Sequence, residues 1–349
     1  MQAAVQNTAT FIPKGTHLAT THGGCLLPAL TVWLQTPTPS ACFPSTCVHE
    51  LACFGYASIE QMFFYALRAT FFFTKVPTTE AWQEVAEGFQ EKWNFPHCVG
   101  AVDGKHVQIQ APPNSGSLYY NYKGTYSIVL MAAVDSNLKF ICVDVGAYGR
   151  QSDGGTLSAS RFGKSLEEGL RGLPPPKQLP GTNIVAPHVF VGDEAFQHRP
   201  DFLQPYSGRC QDENKRIFNY RLSRTRRCVE NAFGVMVSRF RIFRRAINLR
   251  PQNADYVVMA CCALHNFLRD DVIYMTANYV DTEDAYGNIT SGQWRTTQDI
   301  GASAMFSLRP PTGHNYTRTA AETRDLFCSY FVSREGSVPW QRASAGLRM

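Results

Sequence analysis

Three closely spaced apolar runs constrain the fold of this chain more than any other feature. Residues 98–110 (CVGAVDGKHVQIQ) alternate apolar and polar side chains in their second half, as a half-buried strand does. Residues 126–134 and 139–146 form the next two runs, and the Asp-Ser-Asn segment between them favours a hairpin turn. This spacing predicts three consecutive antiparallel strands.

The segments that follow predict an α/β domain. Residues 153–170 are compatible with a helix, a run of three prolines then indicates a loop, and residues 185–192 predict a fourth strand ending at Asp193. Ser223 is a candidate N-cap of a helix, and residues 256–268 are apolar on every side, which is typical of a buried helix. One face of the helix after Ser223 is predicted to carry Val229, Phe233, Met236 and Phe240. The order βββαβ followed by helices predicts a mixed sheet flanked by helices.

Composition divides the chain into four segments. Residues 1–50 are rich in Thr, Pro and small residues without a period and predict an unstructured leader, whereas residues 51–92 predict a short helical region. Residues 93–270 hold the predicted α/β domain, and residues 271–349 predict a mostly irregular tail. Outside the α/β domain, helices are expected at 58–73, 79–92 and 320–331.

Charge and cysteine usage narrow the class of protein. A net charge of +5 over 349 residues is too small to indicate nucleic-acid binding by itself. The eleven cysteines form no CxxC pair, which favours a reducing intracellular compartment. The group Cys42, Cys47, His49 and Cys53 matches no zinc-site spacing, and unrelated thiols explain it better. We expect no secretion signal and no membrane-spanning segment.

Asp103 and Asp193 are aspartates whose places in the predicted sheet need a chemical explanation. Asp103 lies between Val102 and Gly104 inside the first run, where an ionised carboxylate is costly unless a counter-charge or metal ion balances it. Asp193 follows directly after the fourth run, and ligand sites in such sheets gather where strands end. The neighbouring Glu194 leaves this second assignment open.

Glu230 is the strongest single observation in the sequence. From Lys215 through Arg250 there are eleven Lys or Arg residues and only this one acid. On a helix, Glu230 is one position from the apolar face set by Val229 and Phe233, so its carboxylate can point into a crevice beside the sheet. We expect it to reach the two aspartates there.

Three carboxylates from separate elements suit Mg²⁺ or Mn²⁺, which prefer oxygen ligands. Two such ions about 4 Å apart can activate a water or 3′ hydroxyl and stabilise the leaving oxygen of a phosphodiester. Simpler roles exist for each acid: a turn or cap for Asp103, a helix N-cap for Asp193, and an ion pair with Arg226 or Arg227 for Glu230.

Basic residues around these acids are candidate phosphate contacts, interleaved with Phe240 and Phe243. A solvated helix face is the alternative explanation. The predicted nucleic-acid-binding residues are Lys105, His106, Arg224, Arg226, Arg227, Arg239, Arg241, Arg244 and Arg245.

A series of motifs resembles the PIF/Harbinger transposase family, which includes nucleases that hosts have domesticated. The motifs are FPHCVGAVDGKHVQI, YYNYKGTYSIVLMAAVD, GRQSDGGTL, VFVGDEAF, LSRTRRCVENAFGVMVSRFRIF and ACCALHNFL, in family order over roughly residues 80–270. The tail phrase SYFVSREGSVPWQ is also similar to the family. The family's longer helix-turn-helix-like region has only a short counterpart here, and residues 1–50 do not match.

The resemblance implies an RNase H-like fold and a DDE catalytic triad. Its two aspartates would be Asp103 and Asp193, and its glutamate would be Glu230. It also implies a divalent metal cofactor, a nuclear protein acting on DNA and, in some members, a separate Myb-like DNA-binding partner. The sequence leaves the oligomeric state open.

The leading hypothesis is a metal-dependent endonuclease or strand-transfer enzyme that acts on DNA phosphodiester bonds. A second hypothesis is a domesticated, non-catalytic DNA-binding or protein-interaction module on the same fold. A third, a glycosidase with a pair of carboxylic acids, agrees poorly with the arginine-rich segment around Glu230.

Overall fold

A computed structural model describes residues 77–151, 160–168, 172–208, 212–284, 286–297, 303–308 and 316–347. The predicted leader at 1–50 and the helix predicted at 58–73 lie outside these residues. The helices are α1 (Thr79–Trp93), α2 (Arg161–Glu167), α3 (Glu213–Arg239), α4 (Pro251–Leu268), α5 (Trp294–Thr297), α6 (Arg318–Val332) and α7 (Gln341–Ser344). The strands are β1 (Cys98–Gln108), β2 (Ser127–Val134), β3 (Phe140–Tyr148), β4 (Lys177–Gln178), β5 (Val185–Ala186), β6 (Val189–Val191), β7 (Phe202–Leu203), β8 (Thr282–Glu283), β9 (Ile289–Thr290) and β10 (Met305–Ser307).

The central sheet has the order β3-β2-β1-β6-β7, with β10 also paired to β1. The first three strands are antiparallel, as predicted, whereas β6 runs parallel to β1 and β7 runs parallel to β6. Strand β2 is buried along its whole length because helices cover the sheet. The mixed sheet flanked by helices confirms the predicted α/β, RNase H-like class.

One edge of β1 changes its partner in the middle of the strand. On that side, Ala101 is paired with Val191 of β6, and pairing resumes at Lys105 with Ser307 of β10. Asp103 lies between these two positions, while its other side is paired with β2. The sheet therefore opens on one side of β1 at the predicted aspartate.

The fourth predicted strand is interrupted. Residues 185–186 form β5, which pairs with β4 in a separate two-stranded sheet, and only Val189–Val191 of β6 joins the central sheet. Pro187 lies between the two strands, and a proline has no N–H to donate to a ladder. The single run of 185–192 was therefore too long a prediction.

Helix α3 is much longer than the sequence predicted. The side chain of Asp212 accepts hydrogen bonds from the backbone N–H groups of Asn214 and Lys215, which makes it the N-cap. Ser223, the predicted cap, is an exposed residue inside the helix, because Ile217 and Leu222 are buried and extend the packed face upstream. The predicted face of Val229, Phe233, Met236 and Phe240 is buried.

The core forms where helices cover the sheet. Trp82 of α1 contacts Phe190 of β6 edge to face, with ring centroids 5.7 Å apart, and Phe162 of α2 contacts the same ring. Helix α1 begins at the N-cap Thr78, close to the predicted start. Helix α2 falls within the predicted 153–170 segment, of which 153–159 and 169–170 lie outside the described residues.

The segment after α4 carries more regular structure than its composition indicated. It contributes β10 to the central sheet, and the 15-residue helix α6 packs on α3. Phe327 and Phe331 of α6 contact Phe95, just ahead of β1. These apolar contacts order a polar segment. Among the described residues, no helix combines the length and apolarity needed to cross a membrane.

Candidate functional site

Asp103 is a buried carboxylate with a cation beside it. Its side chain on β1 accepts a hydrogen bond from the backbone N–H of Gly104 at 2.8 Å, and the Nζ of Lys105 lies 2.7 Å from the other oxygen. Because a buried charge is costly without a partner, this ion pair explains how the strand tolerates an aspartate. The sequence predicted that either a counter-charge or a metal ion would balance Asp103, and in the structure Lys105 is the counter-charge.

Asp193 lies two residues after β6, at the open edge beside β1. Its carboxylate accepts the backbone N–H of Ala195 at 2.9 Å, and Arg226 lies 3.7 Å from its other oxygen. Burial raises the pKa of Asp193, the charge of Arg226 opposes that rise, and the negative charge of Asp103 adds to it. Asp193 and Asp103 are therefore close enough to interact, whereas the adjacent Glu194 is exposed.

Glu230 projects from the middle of α3 toward the same crevice. Its carboxylate lies 3.6 Å from Arg226, one helical turn earlier, and remains 40% exposed. The pKa of Arg295 is raised mainly by its hydrogen bond with Asp281, and Glu230 contributes a smaller favourable charge. The ion pair with Arg226 that the sequence offered as a simpler explanation is present, and Arg226 also links Glu230 to Asp193.

Arg226 is the shared counter-ion of this site. One terminal nitrogen of its guanidinium group faces Asp193 and the other faces Glu230, at 3.7 and 3.6 Å. Both separations exceed a normal hydrogen bond, and the Nε of Arg226 is buried without a hydrogen-bond partner. The group is thus held mainly by charge, in a position where it neutralises two carboxylates at once.

The chemistry of the three acids fits a hard divalent cation. Their donors are all carboxylate oxygens, they come from a strand, a strand end and a helix, and basic groups already lie between them. As the side chains lie, no group of three or more His, Cys, Asp or Glu residues in the described part of the chain could hold a metal ion. Binding would require Lys105 and Arg226 to yield their places.

Several residues predicted to bind nucleic acid are engaged inside the protein. Arg224 and Arg227 both contact the carboxylate of Glu283, at 2.8 and 2.7 Å, and Arg224 also donates to the carbonyl of Trp93. Arg239 donates to the carbonyl of Tyr274 at 2.6 Å. We therefore remove Arg224, Arg227 and Arg239 from the predicted phosphate contacts, because their guanidinium groups have partners in the fold.

His106 is likewise a structural residue in this fold. Its ring is 2% exposed, lies 2.9 Å from the hydroxyl of Ser127 and stacks on Phe306 of β10. Burial, with the nearby charge of Lys123, lowers the pKa of His106 to about 4, so the ring is neutral near pH 7. A buried neutral imidazole gives no charge to a phosphate, and we also remove His106 from the predicted contacts.

The remaining predicted contacts stay near or outside the crevice. Lys105 and Arg226 face the acids, Arg241 and Arg245 are exposed, and Arg244 is half-buried. The last three belong to the 3-10 turn Arg241–Arg244 and the residue after it, just beyond α3. Of the basic side chains predicted from the sequence, these five remain candidates for phosphate contacts.

Sequence reasoning missed the contribution of residues 281–295 to the site. Asp281 and Arg295 form an ion pair at 2.5 Å beside Glu230, and Trp294 donates to the side chain of Asn231 at 2.8 Å. Trp294 also covers Gly234, where an added Cβ would lie 2.3 Å from the indole ring. Gly234, four residues after Glu230, was the sequence signal for this contact. A glycine costs stability inside a helix, so its presence there indicates that another group packs closely against the helix backbone.

Comparisons with known proteins find similar sequences over the central part of the chain. Residues 102–266 match the family described as DDE superfamily endonuclease, a range that includes Asp103, Asp193 and Glu230. Protein ALP1-like from Arabidopsis thaliana is 28% identical over 190 residues, which are 54% of this chain and 47% of that protein. HARBI1 of Homo sapiens, which is named as a candidate nuclease, is 26% identical over 200 residues, 56% of this chain and 52% of its own length.

A third relative carries a different kind of name. The Arabidopsis thaliana protein named Antagonist of Like Heterochromatin Protein 1 is 24% identical over 197 residues, 56% of this chain and 49% of its own. The chain spans about half the length of the curated relatives it matches. No solved structure matches. The resemblance to Harbinger-type transposases and their derived nucleases is confirmed, and residues 102–266 match the DDE superfamily endonuclease family.

Proposed function

We propose that this protein is a divalent-metal-dependent endonuclease that cleaves DNA phosphodiester bonds, with Asp103, Asp193 and Glu230 as its metal ligands. One observation carries the proposal: of three carboxylates that a DDE endonuclease domain brings from three separate elements, Asp103 pairs with Lys105, and Asp193 and Glu230 share Arg226. A fold that places cations among three acids has a strong local demand for positive charge. Mg²⁺ or Mn²⁺, one or two ions, would meet that demand with oxygen ligands.

The side chains of this chain would divide the work. Asp103 is the most rigid ligand, since β2 flanks its strand and Gly104 donates to its carboxylate. Asp193 and Glu230 are more exposed and can adjust. Bound divalent ions would activate the attacking water or hydroxyl and stabilise the leaving oxygen. Once displaced, Lys105 and Arg226 would be available to pair with phosphate oxygens, since both carry donors suited to them.

The substrate surface extends beyond the crevice. Arg241 and Arg245 are exposed directly after α3, and Arg244 is half-buried beside them. Contacts of this kind bind phosphates regardless of base sequence and weaken as salt rises. We therefore expect DNA to bind along this basic turn, and we place the protein in the nucleus, where its substrate is. A Myb-like DNA-binding partner, implied by the family resemblance, would supply sequence recognition.

The test is metal-dependent cleavage of supercoiled plasmid DNA by the full chain. Asp103→Asn, Asp193→Asn and Glu230→Gln each keep the shape of the side chain and remove its charge, so each should lower cleavage about a thousandfold or more. Glu194→Gln is the matched control, because Glu194 is an exposed acid next to Asp193 and should cleave like wild type. Chelation of the metal should abolish cleavage in all proteins.

Two results would contradict the proposal in different ways. Equal cleavage by wild type and the three site variants would contradict the assignment of these acids as metal ligands. DNA binding without cleavage, even with Mn²⁺ and a Myb-like partner present, would favour the non-catalytic module. The relative named as an antagonist of Like Heterochromatin Protein 1 supports considering this second function, because its name describes no cleavage activity.

A further inference from the structure

An exposed aromatic surface lies next to the carboxylates and has no place in the cleavage chemistry. It is formed by Leu118, Tyr120, Tyr122 and Tyr148, which we call the tyrosine surface, and these side chains are between 43% and 47% exposed. Three of its members lie in the segment between β1 and β2, and Tyr148 is the last residue of β3. Exposed apolar groups that cluster in this way mark binding surfaces more often than isolated ones do.

The segment of this surface between β1 and β2 carries basic and no acidic side chains, whereas the Tyr148 end of the surface lies near Asp255 of α4. No Asp or Glu occurs from Gly104 to Val134, a stretch that contains Lys105 and Lys123. The Nζ of Lys123 lies 4.3 Å from the ring centroid of Phe306, and Arg150, after β3, is exposed and donates to the hydroxyl of Ser117 at 3.3 Å. Exposed rings beside exposed cations, without acids in the segment, complement a polyanion that also carries flat aromatic groups.

The tyrosine-bearing segment is held in a defined shape. The buried side chain of Asn121 accepts from the backbone N–H groups of Lys123 and Thr125 and donates to the hydroxyls of Thr125 and Ser127. Ser127 also lies 2.9 Å from the ring of His106 on β1. Tyr120 contacts Tyr126 edge to face at 5.4 Å. Rings ordered in advance lose little entropy when a ligand stacks on them.

A short chain of contacts joins this surface to the carboxylates. The hydroxyl of Tyr122 donates to the backbone carbonyl of Ser307 at 2.9 Å, and the hydroxyl of Ser307 accepts from the Nζ of Lys105 at 2.9 Å. That same Nζ lies 2.7 Å from Asp103. Tyr122 and Lys105 thus contact the same short strand β10, although the ring of Tyr122 packs on His106, which points to the opposite face of the sheet from Asp103 and Lys105. A DNA strand that passes from the acids around the β10 edge would bring neighbouring nucleotides to the tyrosines.

We propose that the tyrosine surface binds unpaired bases of single-stranded DNA next to the phosphate that is cleaved. The inference rests on the proposed function and deepens it, because it specifies that the bound DNA is locally unpaired. Tyr120 and Tyr148 would stack on bases, which tolerates any base sequence, while Lys123 and Arg150 would contact the backbone. Paired bases are stacked on their neighbours inside a duplex and do not offer their faces to these rings.

The experiment measures binding to a fluorescent oligothymidylate strand by the full chain, with a chelator present so that no cleavage occurs. Wild type should bind this strand more tightly than a hairpin duplex of equal length. Tyr120→Leu and Tyr148→Leu should each weaken binding about fivefold or more. Tyr120→Phe, which keeps the ring, and Tyr286→Leu, which removes an exposed tyrosine from the β8–β9 turn, should bind like wild type.

Salt dependence and base fluorescence separate stacking from charge. Lys123→Gln and Arg150→Gln should make the affinity fall less steeply with rising salt, whereas Tyr120→Leu should leave the slope of log affinity against log salt unchanged. A 2-aminopurine in the strand should be quenched on binding to wild type and less so with Tyr120→Leu. Thermal melting should show that every variant is folded at the assay temperature.

The outcomes distinguish this inference from the proposed function. Unchanged affinity in Tyr120→Leu and Tyr148→Leu, or a preference of wild type for the duplex, would overturn the tyrosine surface while leaving metal-dependent cleavage intact. Tyrosine-dependent binding to single strands, together with equal cleavage by wild type and the acid variants, would support the surface and reject the metal ligands.

Discussion

Helix α3 carries two arginine–carboxylate clusters within two turns, and they differ in how tightly they are held. In the first, Arg224 and Arg227 contact Glu283 at 2.8 and 2.7 Å, and the three side chains are at most 12% exposed. In the second, Arg226 faces Asp193 and Glu230 at 3.7 and 3.6 Å, with side chains up to 40% exposed. Neighbouring residues on one helix thus have opposite surroundings.

The difference separates a structural cluster from an exchangeable one. Removing one partner of a buried carboxylate with short hydrogen bonds costs much folding free energy. Glu283 therefore fixes the β8–β9 segment to α3. Longer ion pairs in a partly exposed crevice are weaker, and another cation can replace the arginine. Arg224 and Arg227 therefore stabilise the fold, while Arg226 is suited to alternate with a metal ion. The following predictions test that contrast, in order of decreasing effect.

Loss of Arg224 should have the largest effect on stability. Arg224→Met leaves Glu283 buried with one partner fewer and removes the hydrogen bond to the Trp93 carbonyl, so we expect a loss of about 3 kcal/mol in the free energy of unfolding. Urea unfolding followed by circular dichroism measures it. Arg318→Met, which removes the exposed Arg318–Glu322 pair, is the control and should change little. An equal loss of unfolding free energy in Arg224→Met and Arg318→Met would contradict the difference between the buried and the exposed ion pair.

Loss of Arg226 should affect metal binding more than folding. In Arg226→Met, Asp193 and Glu230 lose a shared cation, so Mn²⁺ should stabilise this variant about 2 kcal/mol more than it stabilises wild type. Thermal melting with and without Mn²⁺ provides the comparison, with Arg241→Gln as the control for an exposed arginine outside the crevice. An identical metal-induced shift in Arg226→Met and wild type would show that Arg226 does not compete with the ion.

Asp255 extends the comparison to a buried carboxylate whose pKa no cation among the described residues lowers. Protonation, and not an ion pair, neutralises its charge. Burial and the charge of Asp144 raise the pKa of Asp255 from 3.8 to about 7. The folded protein then binds a proton that the unfolded chain has released, so stability falls as pH rises from about 4 to about 7.

Asp255→Asn should remove this pH dependence. Its stabilisation should be greatest above pH 7, should vanish near pH 4, and should reach only about 1 kcal/mol because the amide is also buried. Urea unfolding at a series of pH values checks it. The same gain at acidic and alkaline pH would contradict the assigned titration.

The smallest expected effect is a shift in the pH dependence of metal binding. Burial raises the pKa of Asp193, and metal needs the ionised carboxylate, so Mn²⁺ affinity should decline as pH falls through that raised pKa. Arg226 holds this pKa down, and Arg226→Met should therefore move the decline to higher pH. Isothermal titration calorimetry at several pH values measures it; a shift to lower pH would mean that Arg226 does not act on Asp193 through its charge.

Much of the fold followed from local patterns. The strand at β1, the hairpin between β2 and β3 and the apolar face of α3 follow from short-range signals, and the structure confirms them, although β1 is buried on both faces and not half-buried as predicted. The start of α3 and the break at Pro187 were missed, because a cap or an interruption depends on one residue within a long favourable pattern. The prominence of Glu230 came from charge counting alone.

The sequence by itself determined the first three antiparallel strands, the positions of the two aspartates relative to the predicted strands, and the concentration of arginines around one glutamate. Only the tertiary structure decided that Asp193 rather than Glu194 faces Asp103, that Arg224 and Arg227 pair with Glu283, and that Arg226 is shared between two acids. The reason is physical. Strand and helix periodicity arise from neighbours along the chain, whereas burial and ion pairing depend on groups that arrive from distant segments, such as Glu283 and β10.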